Sequence, residues 1–148
     1  MTDQQDLGVD EIIREVKGST KLSDVLTPEK VCPRDGWAHQ VVKAVGRGLK
    51  PTQLRRVFGP IKALAMRASL GKDRGGQDQA MKEILPELIS LTPVLAYSVG
   101  RGHLPRELFE LLSACLDIEK LKCLEDVEKL GDFLTAIVAW HKYEYPRG

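Results

Sequence analysis

Three histidines, three cysteines and a scatter of acidic residues are the side chains that could carry chemistry in this sequence. The histidines are His39, His103 and His141, so no His-x-x-x-His or His-Glu-x-x-His pair places two metal ligands on one helical face. The sequence contains no Gly-x-Ser-x-Gly turn for a nucleophilic serine and no Gly-x-x-x-x-Gly-Lys-Ser/Thr loop for phosphates. We therefore predict that the chain is not an enzyme and that it uses no metal and no cofactor.

Two of these residues have apolar neighbours, which favours packing over reactivity. The cysteines (Cys32, Cys115, Cys123) form no Cys-x-x-Cys pair, and Cys115 lies among leucines, so we interpret it as a buried apolar residue. His141 falls on the apolar side of a predicted helix. A lone histidine there lacks the partners that a general base needs, so a packed ring is favoured, with catalysis or nucleic-acid contact as the alternatives.

Acidic residues are concentrated towards the C-terminal end of the chain. Acids spread over helices in this way are more typical of solvated helix faces than of a metal site, and they would also repel an anionic ligand. The residues concerned are Glu107, Glu110, Asp117, Glu119, Glu125, Asp126 and Glu128.

Positive charge is concentrated in residues 43–74. This segment holds nine basic residues and one acid, a net charge of +8, whereas the remainder holds 13 basic and 20 acidic residues, a net charge of −7. Such segregation predicts a local anionic partner, and nucleic-acid phosphates are the first candidate. The alternatives are a structural adaptor that docks an acidic protein, and a helix-turn-helix DNA-binding protein, which Pro51 and Pro60 in the would-be recognition helix disfavour.

Helical periodicity predicts an all-α, compact bundle of about five to seven helices in a single domain, residues 1–148. We expect helices at 10–17, 37–46, 51–70 with a kink at Pro60, 78–90, 92–99 capped by Thr92, 104–122 and 124–145. Residues 18–35 are predicted as mostly linker, and residues 1–35 as partly flexible. The polar N-terminus and the lack of a long apolar run favour the cytoplasm.

Three segments resemble the small subunit of the type III-A CRISPR effector (Csm) complex. Residues 49–58 are similar to its Ser/Thr-Gln-Ile/Leu-Arg-Lys-x-Phe/Tyr segment, and residues 91–101 to its Leu-x-Pro-x-Leu-Ala-Tyr-x-x-Gly-Arg segment. Residues 133–143 resemble the closing Phe-x-x-x-Val-x-Ala-Tyr/Trp-His-Lys-Tyr/Phe segment. The three segments occur in the same order as in the family. Residues 1–48 contain no recognisable motif of that family.

The resemblance implies a non-catalytic subunit that lines the effector filament in antiviral defence. It would bind target and guide RNA without sequence preference, contact other Csm subunits and possess a capacity for self-association. Matching positions transfer an RNA-binding role to Gln53, Arg55, Arg56, Arg101 and Lys142. The charge argument adds Lys50, Lys62 and Arg67. A helical wheel divides the segment into two rows, Arg55 with Lys62 and Arg56 with Arg67, and leaves open which row faces RNA.

Overall fold

The fold is all-α, as predicted. A computed structural model describes the backbone of residues 4–72 and 75–147 and the side chains of residues 9–72 and 75–147. Within those ranges there are eight α-helices and no strand. Asp73 and Arg74 of the predicted polar loop lie outside the described residues. None of the helices in the described part is both long enough and apolar enough to cross a membrane.

The helices are named α1 to α8 in chain order. They are α1 (Gln4–Gly18), α2 (Leu22–Val25), α3 (Pro28–Val31), α4 (Trp37–Val45), α5 (Pro51–Gly71), α6 (Gln77–Gly100), α7 (Arg106–Cys115) and α8 (Leu124–Glu144). A 3-10 turn, Gly46–Gly48, joins α4 to α5. The predicted bounds of α4, α5 and α8 agree to within a residue or two, and α5 continues through Pro60.

The prediction of two separate helices at 78–90 and 92–99 was wrong. The chain does not restart at Thr92, because α6 is one helix that contains both Pro86 and Pro93. Each proline removes a backbone donor, but Ile84, Leu88 and Leu95 of this helix are buried in the core, and their packing offsets that loss.

The linker prediction for residues 18–35 was also wrong over 22–31. Two short helices form there, and Leu22, Leu26 and Val31 are buried in the same core as the longer helices. Thr27 stabilises the start of α3, since its hydroxyl accepts the backbone N–H of Lys30 at 3.4 Å.

The helix predicted over 104–122 ends early, at Cys115. Asp117 closes a local turn, because its carboxylate accepts the backbone N–H of Glu119 at 2.9 Å and its carbonyl accepts those of Lys120 and Leu121. A short acidic side chain that bonds its own backbone competes with helix continuation. Cys115 is fully buried, as predicted, and burial raises the pKa of its thiol to about 12.

Helix α8 is the centre of the bundle and packs against α5, α4 and α2, while α6 lies on α5. Phe58 of α5 and Phe133 of α8 are fully buried in the shared core. The two helices approach closely at Gly131, where a Cβ atom would lie 2.4 Å from the Cβ of Ala65. This contact fixes the position of α5, the helix with most of the predicted RNA-binding residues.

Asp126 is buried, so the prediction of a solvated face was wrong for this residue. Its carboxylate accepts backbone N–H groups from Ser23 at 2.8 Å, Lys122 at 2.8 Å and Cys123 at 3.0 Å. Burial by itself would raise the pKa of Asp126, but the N–H donors outweigh it and the pKa lies below its ordinary value. The carboxylate thereby joins α2 to the start of α8.

Candidate nucleic-acid interface

The start of α5 is set by local capping and by a buried histidine. Pro51 occupies the first helical turn, where its missing donor costs nothing. The Gln53 side chain accepts the backbone N–H of Lys50 at 3.2 Å. Gln53, a predicted RNA contact, is therefore half-buried and engaged in the helix cap, whereas the Lys50 side chain is exposed.

His141 anchors the turn that precedes α5. Its ring is buried, and Nε2 lies 3.1 Å from the carbonyl oxygens of both Gly46 and Leu49. Carbonyl oxygens only accept, so Nε2 carries the proton and donates to them. The packed interpretation of His141 is confirmed, and the ring ties the C-terminal part of α8 to the beginning of the basic helix.

The two basic rows of α5 face different neighbours. Arg56 borders α6 and lines a groove between α5 and α6. Lys62 borders α8 and lines a groove between α5 and α8. The predicted RNA-binding residues of α5 therefore belong to two surfaces, one beside α6 and one beside α8.

Arg56 and Arg101 are brought together by the α5/α6 groove, which has a volume of about 260 Å³. Its apolar lining comes from Val57 and Pro60 of α5 and from α6. None of its lining residues is acidic, and both arginines are exposed. The groove therefore combines an apolar wall with two guanidinium groups, an arrangement suited to an anionic ligand that also has an apolar part.

Tyr97 lies in the same groove and was not among the predicted site residues. Its side chain is 65% exposed. Arg101 lies one helical turn further on, and its Nη1 donates to the Tyr97 hydroxyl at 3.0 Å, with the guanidinium carbon 5.7 Å from the ring centroid. The i, i+4 spacing of tyrosine and arginine is the sequence signal that could have identified this pair.

Several charges of the basic segment are neutralised within the fold. Arg67 pairs with Glu87 at 3.0 Å, and Lys43 pairs with Asp35. Lys72 binds Glu128 at 2.5 Å, and this hydrogen bond lowers the pKa of Glu128. Among the described residues, the basic side chains of the segment that form no ion pair are Arg47, Lys50, Arg55, Arg56 and Lys62.

The α5/α8 groove differs from the α5/α6 groove in its charge. Lys62 shares it with Glu128 and Asp132, and burial raises the pKa of Asp132. Met66 and Leu70 lie at the same groove and are mostly exposed, at 66% and 61%. Acidic groups and exposed apolar side chains together are more typical of a protein contact than of a phosphate site.

Lys142 lies apart from both grooves, near the end of α8. Its Nζ donates to the carbonyl oxygen of Pro146 at 2.8 Å. Close to it in sequence, Trp140 stacks on the buried ring of His39, with centroids 4.1 Å apart, and donates to the carbonyl oxygen of Cys32 at 3.1 Å. This end of α8 is thus held to α4 and to the preceding loop.

Comparison with known families identifies the chain. The Csm2 Type III-A family model matches residues 34–147. The chain belongs to the Csm2 Type III-A family. A comparison with curated proteins gave no match, and a comparison with solved structures gave none. The chain is thus a small subunit of the type III-A Csm complex of CRISPR defence, and it associates with other Csm subunits.

The three segments that resemble the family have distinct positions in the fold. Residues of the first segment (Arg56, Val57) and of the second (Val94, Tyr97, Arg101) line the α5/α6 groove together. The third segment supplies His141, which binds the turn before α5. Two segments therefore build the groove, and the third supports it from within the bundle.

Proposed function

We propose that this Csm small subunit binds single-stranded RNA without sequence preference, through the edge of the bundle where α5 meets α6. The observation that carries the proposal is that Arg56 and Arg101 line one groove, and none of the described residues that line it is acidic. Phosphate contacts of arginine do not depend on base sequence. Recognition of a particular target would then belong to base pairing with the guide RNA.

The other basic residues contribute according to their surroundings. Lys50, just before α5, and Arg55, on α5, are exposed and form no ion pair in the described part of the chain, so they add positive potential at the start of this helix. Arg67 is already paired with Glu87, and Lys62 lies beside two carboxylates. We assign Lys62 to the side that faces protein, whereas Arg67, which is paired with an acid of α6, adds little net positive potential for an approaching strand.

The protein-facing side is the α5/α8 groove. Its exposed Met66 and Leu70, with Lys62 and Asp132 close by, suit an apolar contact with a polar rim. Association with other Csm subunits requires such a surface, and self-association would use a surface of the same kind. The role is non-catalytic in this proposal, since the chain supplies contacts that position RNA.

Titration of fluorescent single-stranded RNAs of several unrelated sequences, at low and moderate salt, tests the proposal. The RNAs should bind with similar affinity, and binding should weaken steeply with salt. The double variant Arg56→Gln with Arg101→Gln should weaken binding and reduce the slope of log affinity against log salt by about 0.7 per charge removed. The matched variant Lys62→Gln with Arg67→Gln removes the same charge and should leave the slope almost unchanged.

Three results would contradict the proposal. Absence of RNA binding by the unaltered chain at low salt would favour an adaptor that acts through protein contacts alone. A strong preference for one duplex DNA would favour a DNA-binding protein. Equal loss of affinity in the two double variants would show that total charge, and not the α5/α6 edge, determines binding.

A further inference from the structure

The groove between α5 and α6 has an exposed aromatic ring, Tyr97, as well as its two arginines. We propose that it holds one unpaired nucleobase of the bound RNA, stacked on the ring of Tyr97, while Arg56 and Arg101 bind the neighbouring phosphates. The inference rests on the proposed function, because it requires RNA at this edge of the bundle. The proposal adds a site for base stacking to a surface whose charges alone would bind only the phosphates of the RNA backbone.

Exposure of Tyr97 is the first argument. A tyrosine ring that is 65% exposed forgoes most of the free energy that burial would supply. The groove that Tyr97 lines also contains Arg56 and Arg101, so the ring is exposed beside cations that attract phosphates. An aromatic face is also a surface on which any base can stack, because every base has a π-face.

The orientation of the ring is the second argument. The hydroxyl of Tyr97 is held by Arg101 Nη1 at 3.0 Å, and both residues belong to the same helix end. This hydrogen bond restrains the ring before any ligand arrives, which reduces the entropy lost on binding. The guanidinium lies 5.7 Å from the ring centroid, at its hydroxyl end, and is exposed to a phosphate beside the stacked base.

The chemistry of the groove is the third argument. Val57 and Leu95 are buried beneath it, and Val94 is 57% exposed at its wall. Ser98 and His103 add polar groups that can meet the edge of a base, and the lining lacks any acid. An apolar peptide segment would use the wall but leave two guanidinium groups without anionic partners, whereas a nucleotide uses both.

A base at this position should be accepted whatever its identity. Stacking on a single ring discriminates little between bases, in keeping with binding that has no sequence preference. Because stacking is not a charge interaction, its share of the affinity should persist when salt weakens the phosphate contacts.

The test compares a single-stranded RNA with an abasic oligomer of the same length and the same sugar-phosphate backbone. The unaltered chain should bind the RNA about 5-fold to 100-fold more tightly than the abasic oligomer, and this ratio should hold across salt concentrations. In Tyr97→Leu, which keeps an apolar side chain, the ratio should fall to near one. In Tyr97→Phe, which keeps the ring, most of the ratio should remain.

Tyr143 provides a matched control, because it is 55% exposed and its hydroxyl also accepts a hydrogen bond from an arginine, Arg34, at 3.2 Å. Tyr143→Leu should leave the ratio at the value of the unaltered chain. Equal binding of RNA and abasic oligomer by the unaltered chain would overturn the base subsite and leave RNA binding standing. An equal loss in Tyr97→Leu and Tyr143→Leu would also overturn it, whereas failure to bind either oligomer would refute the proposed function itself.

Discussion

The close approach of α5 and α8 at Gly131 leads to a prediction about the whole bundle. In Gly131→Ala, the added Cβ would lie 2.4 Å from the Cβ of Ala65, while carbon atoms pack best at about 3.5–4.0 Å. Both atoms are attached directly to helical backbone, so no change of rotamer relieves the overlap. The helices must separate by roughly 1 Å, and that separation would disturb the buried contacts around Ala65.

The magnitude follows from two opposing contributions. Overpacking of a core costs about 1–3 kcal/mol, and the upper half of that range applies here because the overlap involves backbone-fixed atoms. Replacement of glycine by alanine within a helix contributes about 0.8–1.0 kcal/mol of stability. We therefore expect Gly131→Ala to lower the free energy of unfolding by about 1–2 kcal/mol. For a chain of this size, Tm should fall by about 2–8 °C in a thermal melt followed by circular dichroism.

The swapped variant Gly131→Ala with Ala65→Gly provides the decisive control. It moves one methyl group across the interface, so volume and helix propensity are both conserved, and Tm should return close to that of the unaltered chain. Ala63→Gly, at an exposed position of α5, measures the propensity cost alone. An increase in Tm for Gly131→Ala would refute the close packing of α5 on α8. So would a swapped variant that loses as much stability as the two single substitutions lose together.

Three further predictions concern buried polar groups. The fold lowers the pKa of Asp126, so the ionised carboxylate stabilises the protein above its ordinary pKa, near 3.8, and this stabilisation disappears as pH falls through the folded pKa. Asp126→Asn should lower the free energy of unfolding by about 2–4 kcal/mol at pH 7, measured by urea unfolding. The variant should also lose this part of the dependence of stability on acid pH. His141→Ala should lower the free energy of unfolding by about 2–4 kcal/mol in the same assay, because two buried carbonyl oxygens lose their hydrogen-bond donor. A loss no larger than that of a substitution at an exposed position would show that His141 does not anchor the turn before α5. With its pKa raised to about 12, Cys115 should react with a thiol reagent only after denaturation, whereas the exposed Cys32 should react at once in the native chain.

Sequence periodicity predicted those helices whose apolar residues recur on one face without local contradiction. Helices α4, α5 and α8 are of this kind, and their bounds agree with the structure. Helix α6 differs, since Thr92 and Pro93 indicate a restart of the chain that the fold does not contain. The local sequence shows that each proline lacks a backbone N–H donor. It does not show the burial of Leu88 and Leu95, which offsets that loss and depends on α5 and the rest of the core.

Long-range pairing explains what sequence reasoning missed at Asp126 and Lys120. Asp126 resembles any acid in the first turn of a helix, and only the approach of Ser23, 103 residues away, makes it a buried hydrogen-bond centre. Lys120 is similar, because its Nζ donates to the carbonyl oxygens of Lys17, at 2.8 Å, and Ser19. Their roles arise from tertiary contact, to which no local spacing corresponds.

The basic segment shows why a charge count and a binding surface are different quantities. The count treated nine cations alike, but ion pairs with Asp35, Glu87 and Glu128 neutralise three of them, and Lys62 faces acids. The groove gains Arg101 instead, which lies outside that segment and reaches the groove because α6 folds back along α5. Since nearby charges dominate the potential within a Debye length of about 8 Å, a chain with a net charge of +1 can still bind a polyanion there. The salt dependence of RNA binding should therefore report the few cations of the α5/α6 edge and not the +8 of the segment.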